Sequence, residues 1–521
     1  MNTIRTHRGK IEPKTPEQDE FFNYGAEVQK VAAEKPDAIA VISDETGIQW
    51  TWREYADRVA RIAGRLNADG VGPDVLVAGL SENSPDYFAL YTAVLHAGGC
   101  MAPLPFSASD EALAKMVENS APVLLFASEK YMDVANRLGA ARVVPLAELD
   151  AYIGDAEPVP PTEVAPETMF DMIFSSGTTG TPKGIVHDHR FRARQNTRAA
   201  RNKMDGTSVQ IMSTPLYSNT TMVAFLPALL AGGTVRVMRK FDVLRWLEWA
   251  QDDRTTVTML VPVQYRRLMQ EPRFDEFDLS ALQLKYCTSA PFPADLKREV
   301  LARMPGALIE IYSMTEGGVV CLLEAHKFPD KLHTVGRPAP GSELRVLDDD
   351  DRPVAAGEAG NLIGRSQTMM AGYKNQPDKT REGYWTDPET GETWQRMGDI
   401  GRVDADGFVE LVGRAKDMII SGGFNIFPVD LEDELAKEPD VVEAAVIGMP
   451  SERWGETPVG FVTLTPQARG CEAIREAVNA RLGKTQRLAQ LHAIDEMPRS
   501  HIGKLLKTDL REEAARRGAP D

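Results

Sequence analysis

Ser175 to Gly184 reads Ser-Ser-Gly-Thr-Thr-Gly-Thr-Pro-Lys-Gly, placing three glycines and five hydroxyls beside a single lysine. Glycines let backbone N–H groups approach an anion closely, hydroxyls add donors, and Lys183 brings one positive charge to the rim. That is the chemistry of a phosphate cradle. The spacing is not that of the common P-loop, because Gly177 is not followed at the required distance by Gly-Lys-Ser/Thr. Gly, Ser and Thr also build ordinary turns, so the reading depends on what lies downstream. Tyr312-Ser313-Met314-Thr315-Glu316-Gly317 puts an aromatic ring, a hydroxyl and a carboxylate where a strand over residues 307–312 ends, and open α/β sheets bind ligands at that end of their strands. Four more site-like segments follow: Met397-Gly398-Asp399, residues 413–417, residues 421–428, and residues 499–504 ending in Lys504. His187 and His189 stand two apart, a spacing that aims them at one metal in neither a helix nor a strand.

These segments need a scaffold, and the intervening sequence predicts one. Residues 169–174 are mostly apolar and read as the strand that delivers the cradle. Before them, helices predicted over 21–35, 52–68, 84–97 and 109–120 alternate with brief apolar runs at 38–43, 75–80, 100–103 and 123–127. That rhythm predicts an α/β fold with a largely parallel sheet covered on both faces. It resumes after the cradle, with strands over 209–214, 234–238 and 256–260. From residue 335 the texture changes to short strands, prolines and an acidic turn at 348–351, which reads as β-rich. A junction falls at the charged Arg414-Ala415-Lys416-Asp417. Beyond it comes a compact series of a glycine turn, a helix over 429–438, strands over 442–447 and 459–465, and a helix over 471–482. The expected division is a large domain, 1–415, and a small α+β domain, 416–521.

Composition narrows the partners. With 59 basic and 76 acidic residues the chain carries a formal charge of −17, which repels nucleic acid and anionic membranes while leaving room for a local basic pocket. The most apolar stretch, 222–233, is too short to span a bilayer and contains Pro227, so no stable membrane insertion is expected. Residues 1–20 are polar and mixed in charge, which argues against a secretory signal and for a cytoplasmic location. Cys100, Cys287, Cys321 and Cys471 are scattered without metal-ligand spacing and read as free thiols.

With these six segments in this order, the chain resembles the adenylate-forming superfamily of acyl- and aryl-CoA synthetases, firefly luciferase and adenylation domains, over nearly its whole length. The resemblance implies an α/β protein whose large N-terminal domain, two α/β subdomains plus a β-rich one, carries a small mobile α+β C-terminal domain. It implies that Ser175, Ser176, Gly177, Thr178, Thr179, Gly180 and Lys183 wrap the β- and γ-phosphates of ATP. Tyr312 would stack on adenine, and Ser289, Ala290 and Pro291 would line the nucleotide and acid pocket. Thr315 would contact the α-phosphate and Glu316 would help hold Mg²⁺. Asp399 would bind the ribose hydroxyls with support from Arg414, and Lys416 would be the hinge. Lys504 would bridge the substrate carboxylate and the α-phosphate. Tyr217, Ser218, Asn219, Thr220 and Met222 would shape the acyl pocket, and Ser421, Gly422 and Gly423 would face the CoA channel. Trp454-Gly455-Glu456 resembles a family segment and equally suits a packed loop.

Three positions depart from the family pattern: Met397 stands where threonine is usual, Ser313 where glycine is usual, and Ser218 where histidine usually follows the aromatic. The last borders the acyl pocket, so the acid is not transferred from any relative. The expected reaction is an AMP-forming acid:CoA ligation that uses ATP, Mg²⁺, a small carboxylic acid and coenzyme A. Rivals are an acyl-AMP ligase or adenylation enzyme loading a carrier protein, and a catalytically silent nucleotide-binding regulatory protein. Oligomeric state is open, a homodimer being common for soluble proteins of this kind.

Overall fold

The computed structural model describes residues 4–5, 21–43, 46–175, 182–200, 204–422, 424–484, 486–500 and 503–518. The chain divides into two compact units, one of residues 5–343 with 365–395 and one of residues 1–4, 344–364 and 396–521.

The larger unit holds two α/β sheets. The first has seven strands in the order Gly372–Tyr373, Lys183–Asp188, Met169–Ser175, Cys100–Pro103, Leu76–Leu80, Leu124–Ala127 and Val143–Pro145. Its centre is parallel, and every residue of Leu76–Leu80, Cys100–Pro103 and Leu124–Ala127 is buried, as a sheet covered on both faces requires. The second has nine strands, with a parallel core through Ala307–Met314, Leu284–Cys287, Val257–Leu260, Val209–Met212, Thr234–Val237 and Ile39–Ser43. Local chemistry sets the helix starts. Thr51 and Glu54 form a reciprocal capping box at the head of Trp52–Ala68, and Ser84 caps Pro85–His96, with proline in its first turn.

The predicted strand over 307–312 runs on to Met314 and returns antiparallel as Gly317–Glu324, with Met314 facing Gly317. Thr315 and Glu316 are therefore the two residues of a tight hairpin tip, a return strand that the sequence reading did not separate from the turn. Only glycine serves after them: Gly317 has φ +91°, and a Cβ there would lie 2.1 Å from the Thr368 carbonyl oxygen. The β-rich segment contributes Ser342–Leu347, Gly360–Ser366, Tyr384–Thr386, Thr393–Val403 and Val409–Arg414.

Within the smaller unit, Val441–Ser451 and Gly455–Leu464 form a long antiparallel pair, extended by Ile419–Ser421 with Phe424–Ile426 and by Gln490–Ala493. Alternation sorts its two faces. Val446 and Val462 pack with Leu431, Leu435, Ile474 and Val478, whereas Ala445, Ile447 and Phe461 pack with Met497, Leu510 and Ala514. Helices Pro428–Ala436 and Cys471–Asn479 thus cover one face and Lys507–Arg517 the other. Among the described residues no helix is long and apolar enough to cross a membrane.

Candidate active site

In the larger unit, the strands Met169–Ser175 and Lys183–Asp188 pair antiparallel, and Ser175 is the register partner of Lys183. Ser176, Gly177, Thr178, Thr179 and Gly180 lie outside the described residues, as does Gly423. The Lys183 ammonium sits 4.8 Å from the centroid of the Tyr373 ring. The Tyr373 hydroxyl donates to Glu316 Oε1 at 2.9 Å, and burial, followed by the Glu316 carboxylate, drives that hydroxyl well above the ordinary tyrosine range.

Behind the hairpin tip is a buried charge cluster. His187 Nε2 donates to the Thr315 carbonyl at 2.8 Å, while Nδ1 faces Asp171 Oδ1 at 2.6 Å. Arg192 reaches both Asp171 oxygens at 2.6 and 2.9 Å, and the Tyr91 hydroxyl adds a bond of 2.9 Å. Burial pushes the Asp171 carboxyl up, but Arg192 and His187 together hold it down at about 2. His189 points elsewhere, its ring 5.0 Å from that of Phe170, and burial lowers it to about 4. The two histidines serve different neighbours.

The acid-side residues divide. Ser218 caps Asn219–Leu230 by accepting from the Thr220 N–H at 3.2 Å, and Asn219 Oδ1 accepts from Arg192 at 2.8 Å. The Thr220 and Ser289 hydroxyls bond to each other. Ser289 adopts φ +82°, a strained conformation for a residue with a Cβ, next to Ala290 and Pro291. Tyr217 packs edge-on to Phe106 at 5.2 Å, and burial pushes its hydroxyl up to about 12. Met222 is fully buried in the hydrophobic core that also holds Phe88 and Phe225. Tyr312 is half-buried, with Cys321 as its register partner.

The smaller unit gathers the other candidates. Asp399 and Arg414 are register partners across an antiparallel pair, and Arg414 Nε lies 3.1 Å from Asp399 Oδ1. Met397, one strand position before Gly398, is buried. Lys504 sits in a tight loop closed by Ser500 N–H donating to the Lys504 carbonyl at 2.8 Å and Arg499 donating to the Gly503 carbonyl at 2.6 Å. Burial, then the cations of Arg414 and Lys416, lower Lys504 to about 8. Lys416 is itself lowered, chiefly by burial. Ser421 is buried, Gly422 takes φ +58°, and a Cβ there would lie 2.8 Å from the Trp454 ring. Ser421 and Trp454 line a pocket of about 540 Å³ whose wall also carries Arg453, Arg475, Lys484 and Arg487.

The donor set suits a magnesium ion. Glu316 supplies one carboxylate, and among the described residues no three His, Cys, Asp or Glu side chains gather into a cage. Mg²⁺ takes one or two carboxylates, with water and substrate phosphates completing its shell. Three features were not read from the sequence: Tyr373, the Asp171–His187–Arg192 cluster and the basic pocket. Tyr373 lies 190 positions from Lys183 and 57 from Glu316, so no local spacing marks it.

Residues 28–374 match the family model of the AMP-binding enzymes, and residues 430–504 match that of the AMP-binding enzyme C-terminal domain. The chain belongs to this adenylate-forming family, whose members activate an acid with ATP. Its place is in the acyl- and aryl-CoA synthetase branch. Feruloyl-CoA synthase of Amycolatopsis sp is 33% identical over 486 residues, covering 91% of this chain and 96% of that one. Indoleacetate–CoA ligase of Aromatoleum aromaticum is 31% identical over 498 residues, 90% of this chain and 94% of that one. The structure of ATP-bound MatB from Rhodopseudomonas palustris superposes with a TM-score of 0.85 at 26% identity, covering 95% of this chain and 99% of that one.

Proposed function

We propose that this ATP-dependent adenylate-forming enzyme is a carboxylic acid:CoA ligase. In the first step a carboxylate oxygen attacks the α-phosphorus of ATP, the bond to pyrophosphate breaks, and an acyl-AMP mixed anhydride forms. In the second, the CoA thiolate attacks the acyl carbonyl, AMP leaves, and a thioester remains. A carboxylate approaching a polyphosphate is one anion approaching another, so the residues must supply positive charge where charge develops. Lys504 carries it to the transferring group, and Lys183 to the departing phosphates. Mg²⁺, held by Glu316, would neutralise phosphate charge when bound. Thr315 and Tyr312 orient the nucleotide, Asp399 and Arg414 its ribose, and Ser289 with Thr220 borders the acid. In the same reading residues 416–521 form the movable domain and Lys416 its hinge, which gives Lys504 a way to leave for the second step.

The observation that carries the choice of CoA is the basic pocket. CoA presents an adenine ring, a pyrophosphate and a further phosphate, and the pocket offers the Trp454 ring, with Arg453 4.8 Å over it, beside the exposed Lys484 and Arg487; Arg475 in the same wall is paired with Glu472, and Glu476 is the one carboxylate among the described residues of the lining. Arginine and aromatic rings are the complements of such a ligand. The test compares CoA, dephospho-CoA and pantetheine as acceptors for wild type and a Lys484→Ala, Arg487→Ala variant, with aryl and medium-chain acids. The expected result is a rise in KM for CoA of roughly tenfold or more, since a charged hydrogen bond contributes about 1.5 to 3 kcal/mol, with pyrophosphate release and pantetheine use unchanged. Pyrophosphate release with no small thiol accepted would move the assignment to carrier-protein loading. No turnover with any acid would leave the regulatory reading.

A further inference from the structure

The segment around Gly372–Tyr373 is stitched to two parts of the site at once. At one end, Met370 N–H donates to the Glu316 carbonyl at 2.9 Å, and Met369 bridges to Gly317. At the other, Tyr373 is the register partner of Ile185, and the Lys374 N–H donates to the Gly184 carbonyl at 2.8 Å, the residue next to Lys183. The backbone thereby fixes the Tyr373 side chain where it meets both charged groups, its ring under the Lys183 ammonium at 4.8 Å and its hydroxyl on Glu316 Oε1 at 2.9 Å. The ring is buried, and its backbone N–H is taken by Thr380 Oγ1 at 3.0 Å, so the side chain has little freedom to move away.

A lysine and a glutamate that both face a polyphosphate attract each other, and an ion pair between them would consume the charges the ligand needs. A tyrosine between them meets each with the part of opposite character. The negative face of its ring holds the ammonium and its hydroxyl proton holds the carboxylate. We propose that Tyr373 is a positioning residue that sets Lys183 and Glu316 apart and in register for the phosphates of ATP and their Mg²⁺, an inference that rests on the ATP-site reading above.

The two contacts can be removed one at a time. Tyr373→Phe keeps the ring and loses the hydroxyl, whereas Tyr373→Leu loses both. ATP binding is read by calorimetry with and without Mg²⁺ and without acid, so the comparison stands even if the ligase reading fails. For Tyr373→Phe the account expects the affinity gained on adding Mg²⁺ to fall roughly tenfold while Mg²⁺-free ATP binding is retained. For Tyr373→Leu it expects Mg²⁺-free binding to fall as well, and Lys183→Ala in that background to cost less than in wild type. Conversion of preformed acyl-AMP to thioester should be unchanged in both. The proposal is overturned if Tyr373→Phe keeps the full Mg²⁺ gain. It is equally overturned if Lys183→Ala costs the same in both backgrounds, or if the thioester step falls in parallel with ATP binding, which would mark a general structural role.

Discussion

If Lys504 serves adenylation as proposed, its lowered ammonium should give that step an alkaline limit. Burial and the cations of Arg414 and Lys416 bring its ammonium down to about 8 from the usual 10.5. In the proposed role the charged form is the active one, so activity should be present below this value and lost as pH rises through it. A lysine at about 8 is ~90% charged at pH 7 and ~10% charged at pH 9, whereas an ordinary one would still be ~97% charged at pH 9. The expected fall in kcat/KM for MgATP is therefore about tenfold between pH 7 and 9. The assay is pyrophosphate release with acid and MgATP and no CoA, which keeps the titration of the CoA thiol out of the measurement. Two variants separate Lys504 from other groups. Lys504→Arg keeps its charge at all these pH values, so its residual rate should be flat. Lys416→Ala removes one of the cations that depress Lys504 and should move the fall to higher pH. A wild-type profile that is flat to pH 10, or an equal fall in the arginine variant, would refute the assignment of the limit to Lys504.

Other positions give independent checks. Asp171→Leu leaves Arg192 buried without its carboxylate and should cost about 3 to 5 kcal/mol, read as a fall in Tm or in the denaturant midpoint. In wild type the same carboxyl, at about 2 against an ordinary 3.8, contributes about 2 kcal/mol of stability above pH 4, which should be lost as pH falls from 4 towards 2. Gly317→Ala would drive a Cβ into the Thr368 carbonyl at a positive φ, and adenylation should fall at least a hundredfold while the CoA binding proposed for the smaller unit should be unchanged. Ser289→Gly removes a Cβ from a left-handed backbone and should stabilise by about 1 kcal/mol, while loss of the hydroxyl facing Thr220 changes the ranking of acids by kcat/KM.

Much of the scaffold was legible because its signals are local. The alternation of helices with short apolar strands gives the α/β sheets, and Thr51 caps the helix read over 52–68, whereas the helices read from residues 21 and 84 start at Tyr24 and Pro85, behind the caps Asn23 and Ser84. The candidate residues on segments of distinctive composition, from Lys183 through Glu316 to Lys504, could be named for the same reason. What escaped depends on contacts between distant residues. Thr315 and Glu316 read as a strand end, and only the return strand, allowed by the positive φ of Gly317, makes them a hairpin tip. His187 reads as half of an awkward metal pair until Asp171, sixteen residues earlier, appears beside it. The basic pocket draws Arg453, Arg475 and Arg487 from three separate segments, which no single motif could announce.

The most direct test of the ligase reading follows one enzyme sample through both steps. Enzyme, MgATP and an accepted acid are mixed without CoA, and pyrophosphate is counted per enzyme; CoA is then added, and AMP and thioester are counted. The account predicts one pyrophosphate per active site before CoA, then AMP and acyl-CoA released together in equal amounts. Pyrophosphate in the first phase with neither AMP nor thioester released by CoA would contradict it.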